Sequence, residues 1–204
     1  MIETLLSFVL ATLALACSPG PDNIFVLVQS IANGKKFGLA TVVGLMTGCI
    51  VHTTLVAFGI SEVLKRNENL FFIIKLFGAV YLFYLAYQVY KSDAKIAFST
   101  EGVQQKTILQ LFKTGFWMNV LNPKVTIFFL AFFPQFLFST EISTVIQFYV
   151  LGGLFILTSF TVFSTIAILA GSIADYTKKN KKAGVFFKWL QIIVFVGIAG
   201  LILI

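Results

Sequence analysis

The chain has 204 residues, of which 58% are hydrophobic and 11% charged, and its formal net charge is +7. Soluble domains carry about 25% charged residues, and a chain this short has too little interior to hide so much apolar surface. A water-soluble globular domain and a disordered chain are both excluded, which leaves a membrane protein solvated by lipid.

Six apolar spans follow in chain order. The first runs from about Ile2 to Ala32 and is interrupted at Ser18-Pro19-Gly20-Pro21-Asp22-Asn23. Residues Leu5 to Ala16 could form the apolar core of a signal peptide, and Ala14-Leu15-Ala16-Cys17 has a faint look of a lipoprotein cleavage site. The basic leader is missing, however. The only charge before Asp22 is Glu3, and apolar character resumes after Asn23, so a retained first helix is expected. The second span covers Phe37 to Ile60 and the third Leu70 to Tyr90. After a polar stretch from Lys91 to Lys113, the fourth covers Gly115 to Phe138, interrupted at Asn122-Pro123-Lys124. The fifth covers Ser143 to Ile173 and the sixth Gly184 to Ile204. Each is long enough for the ~20 helical residues that cross a bilayer core. The alternation that a membrane barrel needs is absent, so all spans are expected to be helical.

The 24 phenylalanines suit a lipid-facing surface. Cys17 and Cys49 lie inside apolar runs, where lone thiols serve as small packing residues. With a single histidine no Cys/His metal cluster can be assembled, and no nucleophile–base–orienter set is evident. Neither an enzyme nor a bound cofactor is expected.

Loop charge sets the orientation. Lys35, Lys36, Lys91, Lys95, Lys106, Lys113, Lys178, Lys179, Lys181, Lys182 and Lys188 follow spans one, three and five, whereas the opposite side has only Lys65 and Arg66. The positive-inside rule places the basic loops in the cytoplasm and both termini outside. The basic run from Lys178 to Lys182 reads as an orientation and lipid-headgroup feature rather than a nucleic-acid patch.

Spans one to three (about residues 1–90) and four to six (about 114–204) form two halves of a single transmembrane domain, joined by a cytoplasmic loop over about 91–113. Each half opens with a helix broken by proline. Three spans is an odd number, so the second half is inserted upside down relative to the first. Paired interrupted helices in two inverted halves point to a midplane binding site of the kind found in secondary transporters.

Pro19 and Pro21 lack backbone N–H groups and should open the first helix, and Gly20 permits unusual dihedrals there. Asp22 and Asn23 sit where the helix resumes, a place that favours acidic and capping side chains. The free N–H groups of that half-helix offer an anion site. In span four Asn122 can cap a second half-helix, with Pro123 at its first position and Lys124 supplying a cation. A carboxylate and an ammonium at membrane depth are costly if unpaired. They either form an Asp22–Lys124 ion pair holding the halves together, or flank a zwitterionic substrate, with Asp22 facing its ammonium and Lys124 its carboxylate. Asp22 is also a candidate proton carrier, with His52 in span two as a second.

Weaker signals remain. Lys75 reads as snorkelling to the interface. Gly44-Leu45-Met46-Thr47-Gly48 lets helices approach closely, for internal packing by default and for a homodimer as the alternative. Thr158, Ser159, Thr161, Ser164 and Thr165 give span five a polar stripe that lines a cavity or bonds its own helix.

Ser18-Pro19-Gly20-Pro21-Asp22-Asn23, followed by Gly34, Gly38, Gly44 and Gly48, resembles the first two helices of the LysE/RhtB family of amino-acid exporters. Lys75 with Gly78-Ala79-Val80-Tyr81-Leu82 resembles its third helix. Gly115-Phe116-Trp117-Met118-Asn119-Val120-Leu121-Asn122-Pro123-Lys124, continuing to Phe133-Pro134-Gln135-Phe136, resembles its fourth. The likeness covers Phe8 to Phe138 and weakens beyond; Ala86 departs from a frequent glycine, which touches packing more than function. The resemblance implies a bacterial inner-membrane exporter of amino acids or close derivatives, driven by the ion gradient. It also implies that Asp22, Asn23, Asn122, Pro123 and Lys124 belong to the functional centre. One deep carboxylate suits neutral substrates, of threonine, leucine or homoserine type, better than dicationic ones. The competing expectations are a cation or metal exporter and a non-transporting membrane scaffold.

Overall fold

A computed structural model describes residues 1–18, 20–61, 68–92, 103, 106–179 and 181–203, side chains at 68, 177–179 and 181–183 excepted. The expected break residue Pro19 lies outside the described residues. All regular structure among the described residues is helical.

The first span is two helices, α1 (Ile2–Cys17) and α2 (Pro21–Asn33), bent by 59°. Pro21 opens α2 at a position where its missing N–H costs no helical bond. Gly34, with φ 97°, then turns the chain sharply into α3 (Lys35–Leu55), a conformation that other L-residues resist. α3 runs on as a π turn over Val56–Ile60. α4 (Glu68–Lys91) is the third span. α5 (Ile108–Val120) starts from a capping box, in which Thr107 Oγ1 accepts from Gln110 N at 3.2 Å and Gln110 Oε1 accepts from Thr107 N at 2.9 Å.

After a break at Leu121-Asn122, α6 (Pro123–Ile127) passes into a π turn at Phe128–Phe132 and a 3-10 turn at Phe133–Phe136. The bend between α5 and this second stretch is 49°. α7 (Thr144–Ile168) begins at Ser143, whose side chain accepts from Ile146 N. The fifth span was expected to reach Ile173. It stops at Ile168 instead, Leu169 leaves helical geometry, and α8 (Ala170–Lys179) follows as a separate, more polar helix. α9 (Lys181–Leu203) ends the described chain.

Four helices are unbroken and apolar enough to cross a membrane, namely α3 with its π turn, α4, α7 and α9, and the two bent pairs bring the number to six when each counts as one span. The protein is therefore an all-α, multi-pass membrane protein.

The packing partners follow a pattern. Span two packs most extensively on span four, and span five packs on span one, while spans three and six, like spans two and five, pack on each other. Exchanging the halves maps these pairings onto themselves. The tightest seam is α3 against α5. A Cβ on Gly44 would run into the Phe112 carbonyl, and one on Gly115 into that of Thr41. Gly48 faces Asn119 of α5 in the same seam, so the Gly44–Gly48 pattern serves packing inside the protomer.

The phenylalanines do not all face lipid. Phe8, Phe128, Phe129, Phe132, Phe133 and Phe155 are buried and stack on one another, with Phe129 and Phe133 centroids 4.0 Å apart and Phe8 edge-on to Phe133 at 4.9 Å. Such ring pairs contribute about 0.5–1.5 kcal/mol each beyond their burial. Four of these rings belong to the irregular second half of span four itself, and Phe8 of α1 and Phe155 of α7 pack against them. α4 carries the contrasting surface, with Phe72, Phe77, Val80 and Tyr87 exposed. Gln147 of α7 secures the turn between spans four and five. Its Oε1 accepts from Phe138 N at 2.7 Å and Ser139 N at 3.0 Å, and its Nε2 donates to the carbonyls of Ser139 and Ile142.

Candidate functional site

The two breaks meet. Asn122, at the break in span four, donates from Nδ2 to Asp22 Oδ2 in the first turn of α2, 2.8 Å away and 100 residues distant in sequence. The same Asn122 caps α6, its Oδ1 accepting from Lys124 N at 3.0 Å. One amide thus closes the end of a half-helix and holds the buried carboxylate of the other half. Asp22 and Asn122 are 8% and 9% exposed, so the bond is shielded from bulk solvent.

The direct Asp22–Lys124 ion pair, one of the two expected arrangements, does not close: no Lys124 nitrogen lies within 4.0 Å of a carboxylate oxygen among the described residues. Asn122 takes that place. The Lys124 ammonium lies instead over the Phe195 ring of α9, 5.2 Å from its centroid, an arrangement that stabilises a cation without neutralising it. It is half-buried and, among the described residues, has no hydrogen-bond acceptor.

Two expectations about the first break need correcting. Gly20 is extended (φ −152°, ψ 177°), a conformation open to any residue. Its value is spatial: a Cβ there would stand 3.7 Å from both Lys124 Nζ and Asn23 Oδ1, and any longer side chain would fill the space beside the ammonium. Asn23 does not cap α2, whose N-cap is Gly20 with no side-chain bond. Its Nδ2 reaches back 2.8 Å to the carbonyl of Ala16, satisfying the freed end of α1 and tying the half-helices together.

Asp22, Asn23, Gly20, Pro21, Asn122 and Lys124 all line one cavity between the two breaks. The space open to the centre of a water-sized sphere is about 40 Å³, room for about three water molecules. Pro123 starts α6 beside it. Lys75, on α4, is not part of the lining. His52 is not part of it either. Its ring lies against Phe129, and Nε2 donates to the backbone carbonyl of Asn119 at 3.1 Å, a bond between α3 and α5 that fixes the Nε2–H tautomer.

The structure adds lining residues not singled out for the site. Asn119, in the last turn of α5 and 4% exposed, donates from Nδ2 to Cys49 Sγ at 3.4 Å, while its Oδ1 has no partner. Ser159 of α7, 2% exposed, also lines the cavity with an unpartnered Oγ. The polar stripe of span five thus divides. Ser159 faces the cavity, while Thr161 and Thr165 bond carbonyls of their own helix and border a second, apolar groove between α2, α7, α8 and α9. The signal for Asn119 was an amide in an otherwise apolar stretch of span four.

Fold and cavity together describe a multi-pass membrane protein in which an acidic and a basic side chain from two broken helices line one internal cavity. The chain belongs to the LysE type translocator family, whose model matches residues 13–204. It is 32% identical over 176 residues to the homoserine/homoserine lactone efflux protein of Salmonella typhimurium, covering 86% of this chain and 84% of the relative. The protein of the same description from Salmonella typhi is also 32% identical, with the same coverage. No solved structure matches.

Proposed function

We propose that the protein is a secondary exporter carrying amino acids or close derivatives, neutral ones favoured, across the bacterial inner membrane at the expense of the proton gradient. The observation that carries this reading is the single cavity lined by both Asp22 and Lys124, whose charges lie apart and suit the two ends of a zwitterion. The substrate ammonium approaches Asp22. Its carboxylate approaches Lys124 and the free N–H groups at the start of α2. The family match and the description of the two Salmonella relatives as homoserine/homoserine lactone efflux proteins support the same reading.

The cavity is smaller than an amino acid, so binding requires its walls to part. The bends between α1 and α2 and between α5 and α6 are where they can do so. The exchange of packing partners supports two inverted halves, in which movement of the broken helices opens the site to each side in turn. In this reading the lysine-rich loops face the cytoplasm. Asp22 is the proton carrier: substrate ammonium and proton compete for one carboxylate. His52 sits outside the lining and acts on the site only through Asn119. A cation exporter calls for several carboxylates or histidines converging within the spans, and the observation on which the amino-acid reading is preferred is the cavity lined by one carboxylate and one ammonium.

The test is efflux from proteoliposomes loaded with a panel of labelled amino acids. Neutral substrates should leave, and Asp22→Asn and Lys124→Met should each abolish efflux while the protein stays monodisperse. Wild-type rates from both folded variants would overturn the roles given to Asp22 and Lys124, absence of efflux by folded wild type across the whole panel would point to a scaffold, and preferential release of lysine or arginine would overturn the neutral preference.

A further inference from the structure

Building on the export reading above, the geometry points to Asn119 and Ser159 as the reader of a hydroxyl on the substrate's side chain. Both are more than nine-tenths buried, both line the cavity that holds Asp22 and Lys124, and each brings a polar atom without a partner: Asn119 Oδ1 and Ser159 Oγ. Buried polar groups in proteins are almost always satisfied; of the unpartnered buried side-chain oxygens among the described residues, which also include those of Thr12, Ser18, Ser61 and Ser164, these two belong to residues lining this cavity.

The chemistry of the pair is directional. The Asn119 amide nitrogen is committed to Cys49 Sγ, which leaves the oxygen, an acceptor only. Gly48 makes room for that oxygen, since a Cβ there would approach it to 2.7 Å. A serine hydroxyl can donate as well as accept. Once the cavity walls part to admit a substrate, its O–H can donate to Asn119 Oδ1 and accept from Ser159 Oγ–H. A methyl group of the same size satisfies neither and strands both.

The two polar atoms also sit on different elements from the charged pair. Asn119 is on α5 and Ser159 on α7, whereas Asp22 is on α2 and Lys124 on α6. The charged groups take the α-amino and α-carboxyl ends common to every amino acid. The neutral groups are left to distinguish side chains, because a site built to hydrogen-bond a hydroxyl rejects the analogue lacking it far more strongly than an apolar pocket rejects a missing methylene.

The experiment compares efflux of homoserine and norvaline, which differ by hydroxyl against methyl, from proteoliposomes containing wild type, Ser159→Ala or Ser159→Thr. Wild type should favour homoserine by about tenfold or more. Ser159→Ala should bring the ratio close to one, and Ser159→Thr, which restores a hydroxyl, should recover most of it. Equal handling of the two substrates by wild type overturns the inference while leaving the export reading intact, and so does an unchanged ratio in a folded Ser159→Ala protein. If Ser159→Ala does not fold, the wild-type ratio and Ser159→Thr decide alone. Release of neither substrate by wild type, together with no efflux across the wider amino-acid panel, counts against the export reading itself and takes this inference with it.

Discussion

Asn122 carries two bonds that substitutions can separate. Replacing it with alanine removes the cap on Lys124 N and the donor to Asp22 Oδ2 together. The cap contributes about 1 kcal/mol. The bond to a buried carboxylate would contribute about 1.5–3 kcal/mol in a water-soluble protein. Helix–helix bonds in membranes average only about 0.6 kcal/mol and reach about 1.7, because partners are found in the unfolded state too. The charge and the burial of Asp22 place this bond at the upper end of that range, so Asn122→Ala should cost about 2–3 kcal/mol. Serine keeps a capping oxygen but is too short to reach Asp22 as well, and Asn122→Ser should recover about 1 kcal/mol of the loss. Unfolding in mixed micelles, followed through Trp117 and Trp189, measures both. A double-mutant cycle with Asp22→Ala, which removes the acceptor outright, isolates the inter-helix bond, with an expected coupling of about 1.5 kcal/mol. Coupling indistinguishable from zero, or equal stability of the alanine and serine variants, would refute the double role.

Gly20→Ala should fold and export, whereas Gly20→Val should fold with little change in melting and lose efflux, since the backbone tolerates a side chain and the space beside Lys124 does not. Gly44→Ala or Gly115→Ala should sharply reduce the yield of monodisperse protein on size-exclusion chromatography, because each new methyl meets a backbone carbonyl, which cannot rotate away. Gly153→Ala, with nothing within 4 Å, should behave as wild type. An imposed pH gradient should accelerate wild-type efflux severalfold, and a rate insensitive to the gradient would remove proton coupling. A periplasm-dependent reporter fused after Ile204 should be active, whereas activity of a cytoplasm-dependent reporter there would reverse the assigned orientation.

Span number and helix breaks were legible because lipid imposes strong rules on sequence. About twenty apolar residues mark a crossing, and Pro21 and Pro123 mark an opening in any environment. The partners of the breaks were not legible, because they depend on which helices are neighbours. Asp22 and Lys124 looked like a pair by charge, yet the shorter Asn122 reaches the carboxylate first and Lys124 turns to Phe195. Asn23 looked like a cap by position and bonds Ala16 across the bend instead. The π turns at Val56–Ile60 and Phe128–Phe132 carry no proline or polar signal within them; they touch each other, and ring packing in the core accommodates them. Ser159 could not be separated from its stripe, since a hydroxyl on an apolar helix reads alike whether it faces a cavity or its own backbone.

The seam between α3 and α5 bears on how such a molecule can move. Gly44 and Gly115 set main chain directly against main chain, with no compressible side chain to cushion a slide. In the export reading these two helices act as a stator, one member from each proposed half. Any rotor must be built from the pieces beyond the breaks, α1 with α2 and the stretch after Asn122. The work of each cycle then falls on short levers pivoting against a fixed post, and the membrane around that post need not be deformed for the gate to turn.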